Sequence, residues 1–345
     1  MDKKLLVSSS PHLSAGESVP KIMWTVVVSL LPAAAGAVYF FGVRALWIMA
    51  VGVISAVITE AALQKLLKRP IAVTDGSAVL TGLLLAYNVS AQVPLWMPAV
   101  GSFFAIAVGK MVFGGLGNNP MNPALLGRAF LLASWPTHMT IFSEVIPRGG
   151  TVSGIDAMTT ATPLNVLKTC QDILARPQDF LPEQTTTANI NLGKLYDSLD
   201  NLFIGRIGGC IGETSVLLLL IGAAFLMYKR YIGWKIPFTY IGTVALLTWM
   251  FGGIHGLFTG NPLFHILSGG LMLGAFYMAT DMVTTPVTFN GRIYFGIGCG
   301  VITVLIRLVG GYPEGVSYSI LLMNLTTPLL DRITRPQVFG GRKKA

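Results

Sequence analysis

Residues 76–109 read GSAVLTGLLLAYNVSAQVPLWMPAVGSFFAIAVG, without one Asp, Glu, Lys or Arg. A bilayer core about 30 Å thick needs about 20 apolar residues in a helix. This stretch is long enough for two spans, and Asn88 to Pro94 supplies the turn between them. Outward from it, the same reading recurs. Ile22–Gly42 is uncharged between Lys21 and Arg44, Ala45–Leu63 carries only Glu60, and Asn122–Trp135 makes a fifth span. Beyond a polar stretch from Pro136 to Gly212 come Thr214–Tyr228, then Ile236–Thr280 (two spans around a turn at Gly252–Pro262), Ile293–Val309 and Val316–Leu330. The chain is therefore expected to be an all-α integral membrane protein of about ten transmembrane helices, five on each side of an insertion.

Composition agrees. Of 345 residues, 53% are hydrophobic and 11% charged, against about 25% charged in soluble domains, and the mean hydropathy is +0.66. The net charge of +9 sits in short clusters between apolar stretches, as the positive-inside rule expects, which excludes a nucleic-acid partner in favour of the lipid membrane. Lys3, Lys4 and Lys21, then Lys65, Lys68 and Arg69, then Lys229, Arg230 and Lys235, and finally the basic tail all fall on one side. Both termini are thus placed in the cytoplasm and the insertion outside the cell membrane, with Arg44 as the one exception. The divisions are a cytoplasmic segment 1–20, a first five-helix repeat 21–136, the insertion 137–212, a second repeat 213–334 and a basic tail 335–345. Five spans per half would make the repeats inverted. Cys170, Cys210 and Cys299 have no C-x-x-C spacing, so an iron–sulfur cluster held by this chain alone is excluded, while Cys170 and Cys210 share the insertion and are candidates to pair.

Three segments differ from lipid-facing helix: Thr74-Asp75-Gly76-Ser77 through Thr81-Gly82, Gly114 through Pro123 (GGLGNNPMNP) with Gly127-Arg128, and Ala279-Thr280-Asp281 through Pro286. Irregular backbone at membrane depth survives only where protein or a wet cavity satisfies it. Together the segments point to a polar pathway or cofactor site, with Asp75, Asn118, Asn119, Asn122 and Asp281 as candidates. Singly, each reads equally well as a cap or interfacial turn. Glu60, Asp75, Lys110, Arg128, Asp281 and Arg307 are the ionisable residues in or near spans, and an interfacial cap or a pairing with Lys110, Arg128 or Arg292 is the plainer expectation for each. His265 reads as a packing residue of the eighth span, not a metal ligand.

Within the insertion, Asp156-Ala157-Met158-Thr159-Thr160-Ala161-Thr162 resembles the flavinylation motif of the Rnf D and Nqr B subunits. Residues 114–123, Thr74–Ser77 and Gly310–Tyr318 are similar to other signatures of that family, and the likeness runs over nearly the whole chain. The resemblance implies a urea- or ammonium-channel-like fold and FMN joined to Thr162 as a phosphoester by a flavin transferase. Asp156, Thr159, Thr160 and Ala161 complete the motif; Thr160 stands where related motifs often have Gly. It further implies membership of a ferredoxin:NAD oxidoreductase (Rnf) complex with other Rnf subunits, electron transfer coupled to Na⁺ or H⁺ transport, and room for a second, non-covalent flavin (riboflavin or FMN) among the helices. The chain alone carries no evident nicotinamide site, so catalysis is expected of the complex. A short N-terminal segment favours Rnf D over an Nqr B subunit of a quinone-reducing pump. A channel-like transporter without redox work is the alternative from another class, and flavin at Thr162 separates the two.

Overall fold

The computed structural model describes residues 17–142, 162–206, 208–213, 215–253, 256–312 and 314–335. Asp156, Thr159, Thr160 and Ala161 lie outside the described residues. The helices, in order, are α1 (Val19–Phe41), α2 (Val43–Leu66), α3 (Ser77–Tyr87), α4 (Trp96–Ile106), α5 (Pro123–Ser134), α6 (Pro136–Met139), α7 (Pro163–Ala175), α8 (Pro182–Asp197), α9 (Leu199–Ile204), α10 (Val216–Tyr228), α11 (Lys235–Phe251), α12 (Pro262–Leu267), α13 (Leu271–Leu273), α14 (Phe289–Leu308) and α15 (Val316–Ile333). Both α4 and α13 run on into five residues of π-helix, Ala107–Met111 and Gly274–Met278. Among the described residues the sole β pairing is a single bridge between Ser90 and Cys210.

α1, α2 and α14 are long and apolar enough to cross a membrane, and α3, α4, α5 and α10 are shorter apolar helices. The chain is thus an all-helical, multi-pass membrane protein. Several segments read as full spans are half-length helices. α3 has 11 residues, which at 1.5 Å per residue rise about 16 Å, roughly half of a ~30 Å core. The backbone freed at such a break must be paired inside the protein. Here the chain leaving the insertion does it: Gly212 N–H donates to the Tyr87 carbonyl (2.8 Å) and Ile211 N–H to that of Val89 (3.0 Å). A Cβ on Gly212 would lie 2.4 Å from that of Tyr87, so only glycine admits the contact. At the other end of α3, Asp75 Oδ1 accepts from the Ser77 N–H (2.8 Å) and hydroxyl (2.6 Å). Arg44, the exception to the charge pattern, is used within the protein, donating to the Gln92 (3.0 Å) and Val93 carbonyls of the turn beside it.

α2 crosses α3 closely enough that a Cβ on Gly82 would meet the Gly52 carbonyl oxygen at 2.6 Å. Small residues let membrane helices approach in this way. α2 is also tied to the π-helical end of α4 by a buried ion pair. Lys110 Nζ lies 2.7 Å from both Glu60 oxygens and 2.6 Å from Ser77 Oγ, and Gln64 donates to Glu60 at 3.0 Å. All three ammonium protons are therefore used. This is the pairing expected for Glu60 and Lys110.

Helices α7–α9 follow the Thr-rich motif. Leu164, Leu167 and Leu202 pack around Phe264 of α12. Gln171 donates to the Gly252 carbonyl at 2.9 Å, and Lys168 to that of Gly310, so α7 is latched onto the chain beyond α11 and α14. The cysteines are all free: Cys170 and Cys210 do not pair. Burial raises the Cys170 thiol above its ordinary value, which keeps it protonated and unreactive.

Gly82→Val should destabilise the protein by about 1–3 kcal/mol through overpacking against α2, seen as a lower melting temperature in detergent. Lys110→Met should cost about 3–5 kcal/mol by stranding the Glu60 carboxylate; the double variant Glu60→Gln/Lys110→Met should recover most of that loss in the same melt.

Candidate functional site

The three unusual segments meet at one cavity of about 800 Å³ whose wall includes Ser77, Thr81, Asn119, Asn122, Thr280 and Asp281. Each arrives by a local structural device. Ser77 and Thr81 are one turn apart on the first face of α3. Asn122 caps α5, its Oδ1 accepting from the Ala124 (3.0 Å) and Leu125 (3.4 Å) amides, while its Nδ2 donates to the Met278 carbonyl at 3.4 Å. That bond joins the start of α5 to the π-helical end of α13. Asn119 donates to the Met121 carbonyl at 3.1 Å, but its buried Oδ1 has no partner among the described residues. Asp281 accepts from the Val283 amide (3.3 Å) and the Thr284 hydroxyl (3.4 Å), and no cation pairs with it among the described residues.

Two of the candidate residues stand off this wall. Asp75 is spent on the first turn of α3, and Asn118 is exposed in the turn beneath Gly114. Lys110, by contrast, reaches the cavity from the far side of its ion pair.

α3 and α5 lead from this cavity to a second polar centre. Arg128 lies six residues beyond Asn122 on α5, about 9 Å along the axis. Its guanidinium is buried and contacts four pieces of chain. Nη1 donates to Asn88 Oδ1 (2.9 Å), at the end of α3, and to Ser317 Oγ (2.8 Å) on α15; Nη2 donates to Glu314. Glu213 Oε1 approaches to 4.0 Å and Cys210 Sγ to 3.9 Å. Arg128 thus pairs, as expected, with partners that hydropathy and motif did not single out. Glu314 stood only as part of the Gly310–Tyr318 signature, and Glu213 was missed. A glutamate between Gly212 and an apolar span was the available signal.

Thr162 lies directly beside this centre. It is the N-cap of α7, its Oγ accepting from the Asn165 amide at 3.3 Å. The side chain is only 6% exposed, because Pro163, Leu164 and Leu167 turn inward; the motif residues before Thr162 lie outside the described residues. Thr162 faces a cleft of about 630 Å³ together with Arg128, Phe142, Tyr312, Glu314 and Tyr318. A smaller space of about 380 Å³ lies between Thr162, Glu213, Gly269 and Glu314. Arg307 of α14 closes in nearby, donating to the carbonyls of His265 (2.5 Å) and Ser268 (3.2 Å). It caps the end of α12, and His265 is buried there as a packing residue.

Sequence comparison with known proteins identifies the family. The chain is 51% identical over 337 residues to the D subunit of the proton-translocating ferredoxin:NAD(+) oxidoreductase complex of Clostridium ljungdahlii, covering 98% of this chain and 96% of that one. It is 50% identical over 341 residues to the D subunit of the Na(+)-translocating ferredoxin:NAD(+) oxidoreductase complex of Acetobacterium woodii, with the same coverage. The D subunit of the ion-translocating oxidoreductase complex of Stutzerimonas stutzeri is 38% identical over 342 residues, covering 94% and 92%. The profile of the NQR2, RnfD, RnfE family matches residues 6–340, and the chain belongs to that family.

Proposed function

We propose that this chain is the D subunit of a ferredoxin:NAD oxidoreductase complex, carrying FMN on Thr162 and coupling electron transfer to Na⁺ or H⁺ transport with other Rnf subunits. The names of relatives about half identical along nearly their full length support the complex. One observation carries the flavin assignment: Thr162 offers a hydroxyl at the N-terminus of a 13-residue helix, facing a cleft lined by aromatic side chains and the Arg128 guanidinium. A phosphoester there would gain from the positive end of the helix dipole. Phe142, Tyr312 and Tyr318 offer aromatic walls to a planar ring, and Arg128 offers a fixed positive charge. FMN, when bound, supplies the electron-carrying chemistry. The chain's own part is to hold the ester, orient the ring and exclude water. A flavin transferase would have to reach Thr162 through the cleft or before α7 docks.

The chain sits in the cell membrane with both termini cytoplasmic and the motif outside, in segments 1–20, 21–136, 137–212, 213–334 and 335–345. Ten crossings in a five-plus-five inverted repeat, like urea and ammonium channels, are supported by repeated neighbours: α2 packs on α4 as α11 does on α14, α4 on α5 as α14 on α15, and α1 meets α10 as α5 meets α15. The cavity lined by Asn119, Asn122 and Asp281 is assigned to the ion path or a second, non-covalent flavin; the orphaned Asn119 Oδ1 fits a ligand that donates a hydrogen bond.

Expressed with a flavin transferase, the wild-type protein should give ultraviolet fluorescence that survives denaturing electrophoresis, and Thr162→Ala should abolish it. A dark wild-type band, with the transferase active on another substrate, would instead favour a channel-like transporter. In the assembled complex, Asp281→Asn should lower ion transport several-fold per electron transferred; unchanged transport with normal assembly removes Asp281 from the path.

A further inference from the structure

Behind the Thr162 cleft, Cys210 Sγ and the carboxylates of Glu213 and Glu314 converge within 4.8 Å of one another. Glu314 is satisfied by Arg128. Glu213 is not: its side chain is 4% exposed and Oε1 has no hydrogen-bond partner among the described residues. The surrounding cations do not reach it. Nη1 of Arg128 is engaged by Asn88 and Ser317, and Nη2 by Glu314. The 4.0 Å separation from Glu213 Oε1 exceeds hydrogen-bond length. Arg307, the other charge on this side, gives Nη1 and Nη2 to the carbonyls of His265 and Ser268. Cys210, on the same segment as Glu213, offers a thiol and no positive charge.

An ionised carboxylate buried with one oxygen lacking a donor is costly, and a second carboxylate at this range adds repulsion, so neighbouring acids tend to keep one proton between them. A Cβ on Gly270 would sit 2.6 Å from Glu213 Oε1, so the glycine backbone leaves that oxygen its space. The cavity shared by Thr162, Glu213 and Glu314 gives the oxygen a route to the cleft. A hard metal ion takes six or more oxygen ligands, and a four-coordinate zinc-type ion would need both carboxylates free beside the thiolate; with the Arg128 guanidinium already seated on Glu314, neither set is supplied. The ligand that fits is a proton.

We propose that Glu213 and Glu314 form a buried carboxyl pair that holds one exchangeable proton beside Arg128, with Glu213 as its seat and the Thr162 cleft as its exit. The proton comes from and returns to water in the cleft, leaving the pair singly or doubly negative. The site needs no bound flavin, so it stands or falls apart from the assignment of Thr162.

The test is infrared spectroscopy of the full-length, flavin-free protein in lipid nanodiscs at neutral pH, comparing wild type, Glu213→Gln and Glu183→Gln, an exposed acid on α8. The expected result is a protonated-carboxyl band in wild type that shifts in D₂O, persists in Glu183→Gln and is lost in Glu213→Gln. Glutamine is the isostere of the neutral acid, so Glu213→Gln should also keep the wild-type melting temperature. An unchanged band in Glu213→Gln would overturn the proposal. So would a variant that fails to fold or melts well below wild type, since that would show the structure needs the ionised carboxylate.

Discussion

The buried guanidinium of Arg128 is the interaction on which the arrangement turns. A charge of this kind is tolerated in an apolar interior only if its donors are met and its charge is balanced. Meeting them recruits Asn88 from α3, Ser317 from α15 and Glu314 from the turn before it. Those residues lie 40 to 189 positions away in the chain. One side chain on a 12-residue helix therefore sets where α3 ends, where α15 begins and where the chain returning from α9 must pass. The pairing of Gly212 with Tyr87 and the bridge between Ser90 and Cys210 complete the same junction with backbone hydrogen bonds.

This junction explains why short helices are stable in an apolar protein. A half-length helix exposes unpaired carbonyls at its end, and lipid offers them nothing. The end of α3 finds its donors in the segment after the insertion, and the end of α12 finds them in Arg307. Both solutions place fixed charge or aligned dipoles next to Thr162. The polar groups that allow the helices to stop are thus the groups that shape the cleft.

The ion pair of Glu60 with Lys110 works on a different boundary. It joins α2 to the π-helical end of α4 and delivers the Lys110 ammonium to Ser77, at the wall of the large cavity. The cavity and the Thr162 cleft are linked by two helices, α3 and α5, each with polar residues at both ends. A rigid connection of this kind is what a protein needs if events at one polar centre are to be felt at the other.

Hydropathy alone was enough to determine an all-helical membrane protein, because a 76–109 stretch without charge has no stable place in water. Gly, Pro, Asn and Asp at the ends of apolar runs marked the segments that would break, and Ser77, Asn119, Asn122 and Asp281 do share one wall. The motif singled out Thr162, which the structure places beside Arg128, and Glu60 and Lys110 were legible as ionisable residues in need of partners. The sequence could not show that Asp75 would be spent on the first turn of α3 while Asn118 stayed exposed, that several apolar segments would form helices of only 11 to 13 residues, or that Glu213 and Glu314 would stand with Arg128. Periodicity and composition report how a residue meets its solvent. Which distant donor meets which buried acceptor depends on where helices cross, and only the tertiary structure decides that.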